Sequence, residues 1–184
     1  MKKFLLVVVV LLLSSYAMAD SVTIGAGVAN NSNGTESHSL NLNYIHSFNS
    51  NIDGNVLVNN FKNTTTQLLQ TQYETGIRYK FLINENFIPY VRTSVGTLET
   101  SGKTALNYVG VESGFIARPL ANGVFVRADY TAMTSLNYDN FNMNLTRAWI
   151  GYDLTKTDSV AVRKDWLNGS INSNTLYMFY TRKF

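Results

Sequence analysis

Residues 69–81 read LQTQYETGIRYKF, and their side chains change character at every step. The odd positions hold Leu69, Thr71, Tyr73, Thr75, Ile77, Tyr79 and Phe81, and the even positions hold Gln70, Gln72, Glu74, Gly76, Arg78 and Lys80. Successive side chains of a β-strand point to opposite faces, whereas the faces of a helix repeat every three to four residues. The stretch therefore predicts a strand with one mainly apolar face and one polar face.

The same alternation recurs from Val22 to the end of the chain, with short breaks between the alternating segments. Breaks rich in Asn, Ser, Thr and Gly alternate with shorter ones and divide the chain into five hairpin-like units. We predict ten strands, near residues 22–29, 38–48, 52–61, 66–81, 87–96, 104–117, 123–133, 141–154, 158–167 and 174–184. This all-β pattern predicts an up-and-down antiparallel β-barrel of about ten strands, and eight strands with longer loops are the alternative.

The first 19 residues have the organisation of a secretory signal peptide. Lys2 and Lys3 precede the apolar run FLLVVVVLLL at residues 4–13, and the triplet AMA at residues 17–19 offers a cleavage site. The apolar run is short compared with the roughly 20 residues of a membrane-spanning helix. We therefore expect residues 1–19 to be removed and residues 20–184 to form a single barrel domain.

The composition excludes several classes of protein. The absence of Cys excludes a disulfide scaffold, a Cys-ligated metal centre and a thiol nucleophile. Without Lys2 and Lys3 the chain keeps 13 basic and 12 acidic residues, so no basic surface for nucleic acid is expected. The sequence also lacks a phosphate-binding loop, a metal-ligand cluster and a dinucleotide fingerprint, and we expect no cofactor and no metal site.

The polar face distinguishes a membrane barrel from a soluble one. Apolar side chains fill the inside of a soluble barrel, whereas they face lipid in an outer-membrane barrel. Here the polar face carries many small and amide side chains with scattered charges, and it lacks the many Lys and Glu residues of a water-exposed surface. We predict that this barrel crosses a membrane with its polar face inside. A soluble periplasmic barrel, with its apolar face around a small apolar ligand, is the alternative.

The last strand carries a family resemblance. Leu176, Met178 and Tyr180 alternate with polar residues, and Phe184 ends the chain, which resembles the C-terminal signal of bacterial outer-membrane β-barrels. The segments PYVRTSVG (residues 89–96) and VGVE (residues 109–112) resemble strands of the small OmpA, OmpX, OmpW and opacity-type barrels. Arg182 departs from the family, which usually has an aromatic residue there.

The resemblance implies a location in the outer membrane of a Gram-negative bacterium. It also implies contact with outer-membrane lipids, delivery by periplasmic chaperones and assembly by the barrel assembly machinery. Tyr180 and Phe184 would belong to the signal that this machinery reads. We expect a monomer.

The predicted lumen receives ten charged residues. The basic members are Arg78, Lys80, Arg92, Arg127, Arg147 and Arg163, and the acidic members are Glu74, Glu112, Asp129 and Asp165. Inside a narrow barrel such charges either pair in a structural network or line a passage with a mild preference for anions. We therefore predict a structural role or a narrow passive pore for small polar solutes, without enzymatic activity.

An outer-leaflet lipid-modifying enzyme is the alternative function. His38 has Ser37 and Ser39 beside it, and a base with a nearby nucleophile and an orienting carboxylate is the minimum for such chemistry. Glu36 or Asp139 could supply the carboxylate. No family motif surrounds His38, and we interpret it as a polar rim residue.

The ninth segment raises a question about the faces of the sheet. Its alternation places Val160, Val162 and Lys164 on the lipid side, followed by Trp166. Either Lys164 lies in the outer interface beside Trp166, or a β-bulge exchanges the two faces there. Aromatic residues near strand ends suit the interfacial girdles of such a barrel, namely Phe48, Phe81, Tyr152, Trp166 and Phe184.

Overall fold

The computed structural model describes residues 20–32, 34–119 and 123–184, and the predicted signal peptide lies outside these ranges. The strands are β1 (Ser21–Asn31), β2 (Glu36–Ser47), β3 (Ile52–Asn63), β4 (Leu69–Lys80), β5 (Phe87–Thr100), β6 (Leu106–Ala117), β7 (Val124–Ser135), β8 (Asn142–Asp153), β9 (Asp158–Gly169) and β10 (Ser173–Lys183). All neighbours pair antiparallel in chain order, and β1 also pairs with β10. The prediction of about ten strands in a closed barrel is confirmed, and the eight-strand alternative is wrong.

Closure rests on the pairing of β1 with β10. The register runs from Ser21 opposite Lys183 to Asn31 opposite Ser173 without interruption. The backbone N–H of Phe184 also donates to the carbonyl of Asp20 at 2.8 Å. An open sheet would leave two rows of backbone groups unpaired, and closure removes both edges. No helix in the described ranges is long and apolar enough to cross a bilayer.

The two ends of the barrel are distinguished by the chain termini. The terminal rim carries Asp20, Phe184 and the connections after β2, β4, β6 and β8, and the distal rim carries the other five connections. Asparagine side chains fold several of these turns. Asn49 Oδ1, for example, accepts from the backbone N–H groups of Asn51 and Ile52 at 2.8 Å each. Such side chain–backbone bonds explain the enrichment of Asn in the breaks between strands.

The apolar face of the sheet lies outside. Exposed side chains include Leu40, Val111 and Met178, of which Met178 is 70% exposed. On the inner face, Asn41 and Glu112 are 3% and 1% exposed. The predicted orientation of the two faces is therefore confirmed, and the alternative with the apolar face turned inward is wrong. The aromatic residues predicted for the girdles are also exposed, namely Phe48, Phe81, Tyr152, Trp166 and Phe184.

The register of β9 shows on which face of the sheet Lys164 lies. Lys164 pairs with Leu176 on one side and Ala148 on the other, and both registers continue without a bulge. Val160, Val162 and Lys164 therefore share the outer face. Lys164 is half-buried there, near the middle of β9.

Small residues on the inner face make room for large ones from neighbouring strands. A Cβ at Gly96 would lie 2.4 Å from the ring of Tyr108, which covers this glycine from β6. A Cβ at Gly76 would lie 2.9 Å from the Arg92 guanidinium, which crosses β4 at this point. The hydroxyl of Tyr108 reaches Glu74 at 2.8 Å. These two glycines therefore allow inner side chains to reach beyond the adjacent strand.

The closed, fully paired sheet predicts resistance to detergent. An unboiled sample in an SDS gel should give a fast band that slows on boiling, because the closed barrel unfolds only on heating. The measurement is gel mobility of the refolded protein before and after boiling. A single band with unchanged mobility would contradict a kinetically stable barrel.

Candidate functional site

A layer of ionised side chains divides the lumen into two chambers. The chamber toward the distal rim has a volume of about 140 Å³, and the chamber toward the terminal rim has about 260 Å³. We call them the distal and the terminal chamber. The residues that line both chambers define the constriction between them, and they are Asn41, Leu57, Glu74, Arg92, Arg147 and Arg163.

Glu112 is the centre of the ionised layer. Its carboxylate accepts from Arg92 Nη1 at 3.0 Å, from Arg127 Nη2 at 3.1 Å and from Arg147 Nη2 at 2.6 Å. Arg92 also donates through Nη2 to Glu74 at 2.5 Å and through Nε to Asn55 Oδ1 at 2.9 Å. Buried charges are stable only with this kind of pairing. One carboxylate thus ties together side chains from β5 to β8.

Asp129 is the second carboxylate of this layer. Arg147 Nε binds one of its oxygens, and Arg127 Nε lies 3.0 Å from the other. The hydroxyl of Tyr90 donates to Asp129 at 3.0 Å and accepts from Arg127 Nε at 2.8 Å. We call the whole set the central charge layer, with the members Glu74, Arg92, Glu112, Arg127, Asp129 and Arg147.

Two smaller ion-pair groups flank the central charge layer. Toward the terminal rim, Asp53 pairs with Arg78 and with Lys80, the latter at 3.0 Å. On β9, Arg163 donates to Asp165 at 2.9 Å. The guanidinium of Arg163 also lies 4.6, 4.3 and 4.6 Å from the ring centres of three aromatic residues, which are Trp149, Tyr177 and Phe179. Aromatic faces attract a desolvated cation, so the rings help to hold Arg163 inside the barrel.

The constriction presents more positive than negative charge to the passage. Arg92, Arg147 and Arg163 line both chambers, and Glu74 is the acidic residue that does so. Glu112 lines the terminal chamber alone, and Asp129 lines neither chamber. Three arginines and Glu74 therefore face the passage at the constriction, and further carboxylates neutralise the arginines from the terminal chamber (Glu112), from the distal chamber (Asp165) and from behind (Asp129).

The structure places all ten charged residues predicted for the lumen on the inner face. Six of them meet in the central charge layer, and the other four form the flanking pairs with Asp53 and within β9. Tyr180 and Phe184, predicted to belong to the assembly signal, lie on the outside, with Phe184 72% exposed. Tyr180 donates a hydrogen bond to Asp158 at the start of β9.

Asp53 is a lumen residue that was not predicted from the sequence. Asp53 is 3% exposed and stands two residues before Asn55, which also faces inward, in β3. The alternation of Asp53, Asn55 and Asn59 with Val56 and Val58 was the available signal. Asp53 thus adds a fifth acidic group to the ten charged residues predicted for the lumen, and Arg118, Asp153 and Lys183 also line the terminal chamber.

His38 lies on the outer face near the distal rim. Its side chain is 63% exposed, and its Nε2 lies 3.6 Å from Glu36. Ser37 and Ser39 are buried on the inner face, because neighbours in a strand point to opposite sides. The serine–histidine pair considered for an enzyme is therefore not formed. The described ranges also contain no group of three or more His, Cys, Asp or Glu side chains that could hold a metal ion.

Replacing Glu112 tests the central charge layer. Glu112→Gln leaves Arg92, Arg127 and Arg147 with one anion fewer, and breaking a buried ion pair typically costs about 3–5 kcal/mol. We expect a loss of this size in the free energy of unfolding, measured by urea titration of the refolded protein in lipid vesicles. Glu36→Gln at the exposed distal rim is the control and should change it by less than about 1 kcal/mol. Equal effects of both changes would contradict the central role of Glu112.

Comparisons with known proteins agree with the fold. No protein-family model and no curated protein matches the sequence. Among solved structures, the NanC porin is similar at 10% identity over 89% of this chain and 100% of its own, with a TM-score of 0.64. An outer membrane channel from Pseudomonas putida F1 is similar at 8% identity over 92% and 96%, with a TM-score of 0.61. The KdgM porin is similar at 11% identity over 89% and 99%, with a TM-score of 0.54. At these identities the likeness establishes the shared barrel fold.

Proposed function

We propose that this protein is an integral outer-membrane barrel of a Gram-negative bacterium that forms a narrow passive path for small polar solutes, with a preference for anions. The observation that carries this proposal is the lumen itself. Its two chambers are separated by a single constriction, and three of the residues that line both chambers are arginines. The proposal assigns no catalytic residue.

The outer surface supports the membrane location. Side chains such as Ile24, Leu40, Val111 and Ile150 are more than half exposed on the outer face, where lipid would cover them. The closed backbone pairing satisfies the requirement of a hydrocarbon environment. The porins and the channel that share the fold support the same location.

The assembly route is part of the same proposal. The exposed side chains of Tyr180 and Phe184 on the last strand would be accessible to the barrel assembly machinery after delivery by periplasmic chaperones. Outer-membrane lipids would then surround a monomeric barrel.

The preference for anions follows from which charges face the passage. A solute that crosses the constriction meets Arg92, Arg147 and Arg163, whose guanidinium groups are held in place by buried carboxylates. Fixed charges that line a narrow, poorly solvated passage favour ions of opposite sign. An anion is therefore attracted at the constriction, and a small cation is repelled.

A closed structural barrel is the second candidate. Glu112 is 1% exposed and binds three arginines at once, which is the packing expected of a filled interior. In that case the central charge layer would act as a permanent septum that stabilises the barrel. Electrical measurements separate the two candidates.

Opposite charge changes at the constriction should shift ion selectivity in opposite directions. We expect the refolded protein in a planar lipid bilayer to pass a small current and to favour chloride over potassium. Glu74→Gln should raise the chloride-to-potassium permeability ratio and Arg92→Gln should lower it, each by about two- to fivefold. This range follows because a unit charge about 4 Å away is worth about 1 kcal/mol in water. The measurement is the reversal potential in a KCl gradient.

Lys62→Gln provides the matched control for these changes. Lys62 lies on the outer face near the distal rim, so its replacement removes a charge without altering the lumen. We expect an unchanged permeability ratio. The absence of current in wild type and both lumen variants would favour the structural barrel, and selectivity for potassium would contradict the preference for anions.

Lys164 tests the membrane location independently of any current. A lysine on the lipid face costs about 2–4 kcal/mol at the bilayer midplane and about 0–1 kcal/mol near the interfaces. Since Lys164 lies near the middle of β9, Lys164→Leu should raise the free energy of unfolding in lipid vesicles by about 2 kcal/mol. Lys62→Leu near the distal rim is the control and should add less than about 1 kcal/mol. A loss of stability in Lys164→Leu would contradict a lipid-facing position.

A further inference from the structure

The outer face of the barrel changes its chemistry at the distal rim. We propose that its distal end is an interaction surface for the uncharged sugar headgroups of a glycolipid leaflet. We call this surface the distal collar and define it as the outward side chains of β1 to β10 that lie within two residues of a distal strand end. The inference rests on the membrane location proposed above and does not require that the barrel conducts.

Amide side chains dominate the distal collar. Apart from Leu69, every outward side chain within two residues of a distal strand end is polar. Six of these residues are exposed asparagines, namely Asn30, Asn107, Asn142, Asn144, Asn168 and Asn174. The outer face therefore stops being apolar at the same level on all ten strands.

The terminal rim has no equivalent of this collar. Outward side chains at the terminal strand ends are mainly aliphatic or aromatic, such as Val22, Tyr79, Phe87 and Tyr152. A barrel made only to cross hydrocarbon would have similar ends, because both interfaces favour aromatic girdles. The two ends are thus adapted to headgroup layers of different chemistry.

Aromatic rings mark the depth at which the collar begins. Tyr73 and Trp166 each stand one outward position below the collar, next to Thr71 and Asn168 on the same strands. Tyrosine and tryptophan concentrate at the boundary between hydrocarbon and headgroups. Amides beyond these rings lie among headgroups, whereas in hydrocarbon each unpaired amide would cost free energy.

Two of the collar amides are oriented by neighbouring strands. Thr97 Oγ1 donates to Asn107 Oδ1 at 2.9 Å, and the hydroxyl of Tyr130 donates to Asn144 Oδ1 at 2.8 Å. Each bond uses the amide oxygen and leaves the two hydrogens of the same amide to other acceptors. Since Asn107 and Asn144 are exposed, these hydrogens are accessible to a headgroup outside the barrel.

The charges of the collar favour sugar over phosphate. Glu36 and Glu99 place two carboxylates in the collar against the one ammonium group of Lys62, and His38 lies 3.6 Å from Glu36. A phosphate layer would require an excess of basic side chains. A sugar offers several hydroxyl groups that both donate and accept, which matches a surface of amides and hydroxyls.

Urea unfolding in two kinds of vesicle tests the proposal. One kind contains phosphatidylcholine alone, and in the other kind part of it is replaced by digalactosyldiacylglycerol, an uncharged glycolipid. We expect the glycolipid to raise the urea midpoint of the refolded mature barrel by about 0.5–1 M, since hydrogen bonds to sugar hydroxyls form. Both leaflets carry the glycolipid, so the direction of insertion does not affect the result.

A pair of collar variants should reduce this shift. Asn107→Leu combined with Asn144→Leu removes two collar amides, and we expect the loss of roughly half of the shift. Ser113→Leu combined with Ala148→Leu is the matched control, because it adds two leucines to the outer face of the same two strands outside the collar. The control should keep the full shift, and general effects of the glycolipid on the bilayer are common to both variants.

A second pair of variants lies across the closing seam. Asn30 and Asn174 are register partners on β1 and β10, and Asn30→Leu combined with Asn174→Leu should also reduce the shift. This pair keeps the test decisive if the first pair does not fold, which an unboiled SDS gel would reveal.

An equal urea midpoint in both kinds of vesicle would overturn the proposal, as would equal shifts in the collar variants and the control. A larger shift with phosphatidylglycerol than with the glycolipid, abolished by Lys62→Gln, would also overturn it, because the collar would then bind phosphate. Vesicle flotation separates these results from a failure of the membrane location. A barrel that does not float with vesicles contradicts that location, whereas one that floats without a glycolipid shift contradicts the collar alone.

Discussion

The pairing of β10 with β1 is the constraint on which the rest of this structure depends. It gives each strand two neighbours, so backbone groups along both sides of every strand are paired within the sheet. Closure also places one set of the alternating side chains inside the barrel and the other set outside. The apolar residues must then cover the outer surface, and the polar ones must share a narrow lumen. The proposed path for solutes depends on how that lumen is filled.

Charge in a narrow lumen is stable only when it is paired, and this requirement shapes the middle of the barrel. Glu112 and Asp129 neutralise arginines from three strands, and Gly76 leaves the space in which Arg92 crosses β4. The charged side chains therefore form a thin layer with a chamber on each side and do not line the lumen evenly. In the pore proposal this layer controls passage between the two chambers.

Much of the architecture could be predicted from period-two alternation alone. Residues 69–81 show it most clearly, and it correctly predicted the number of strands and the apolar exterior, whereas it left the position of Lys164 open between the outer face and a β-bulge. Alternation is sufficient there because the side of a strand on which a residue lies is a local property. The inward position of Asp53 could have been predicted in the same way, because Asn55 and Asn59 share its face in β3. The inward position of the ten charged residues also follows from alternation.

The contacts among those residues required the tertiary structure. Arg147 reaches Glu112 across 35 positions of sequence, and Asn41 comes to lie opposite Asn59 through the register of β2 and β3. Register, strand tilt and the curvature of the closed sheet decide which inner side chains meet, and none of these is encoded in alternation. The sequence by itself determined the barrel and its two faces, whereas only the folded chain decided how the lumen is divided.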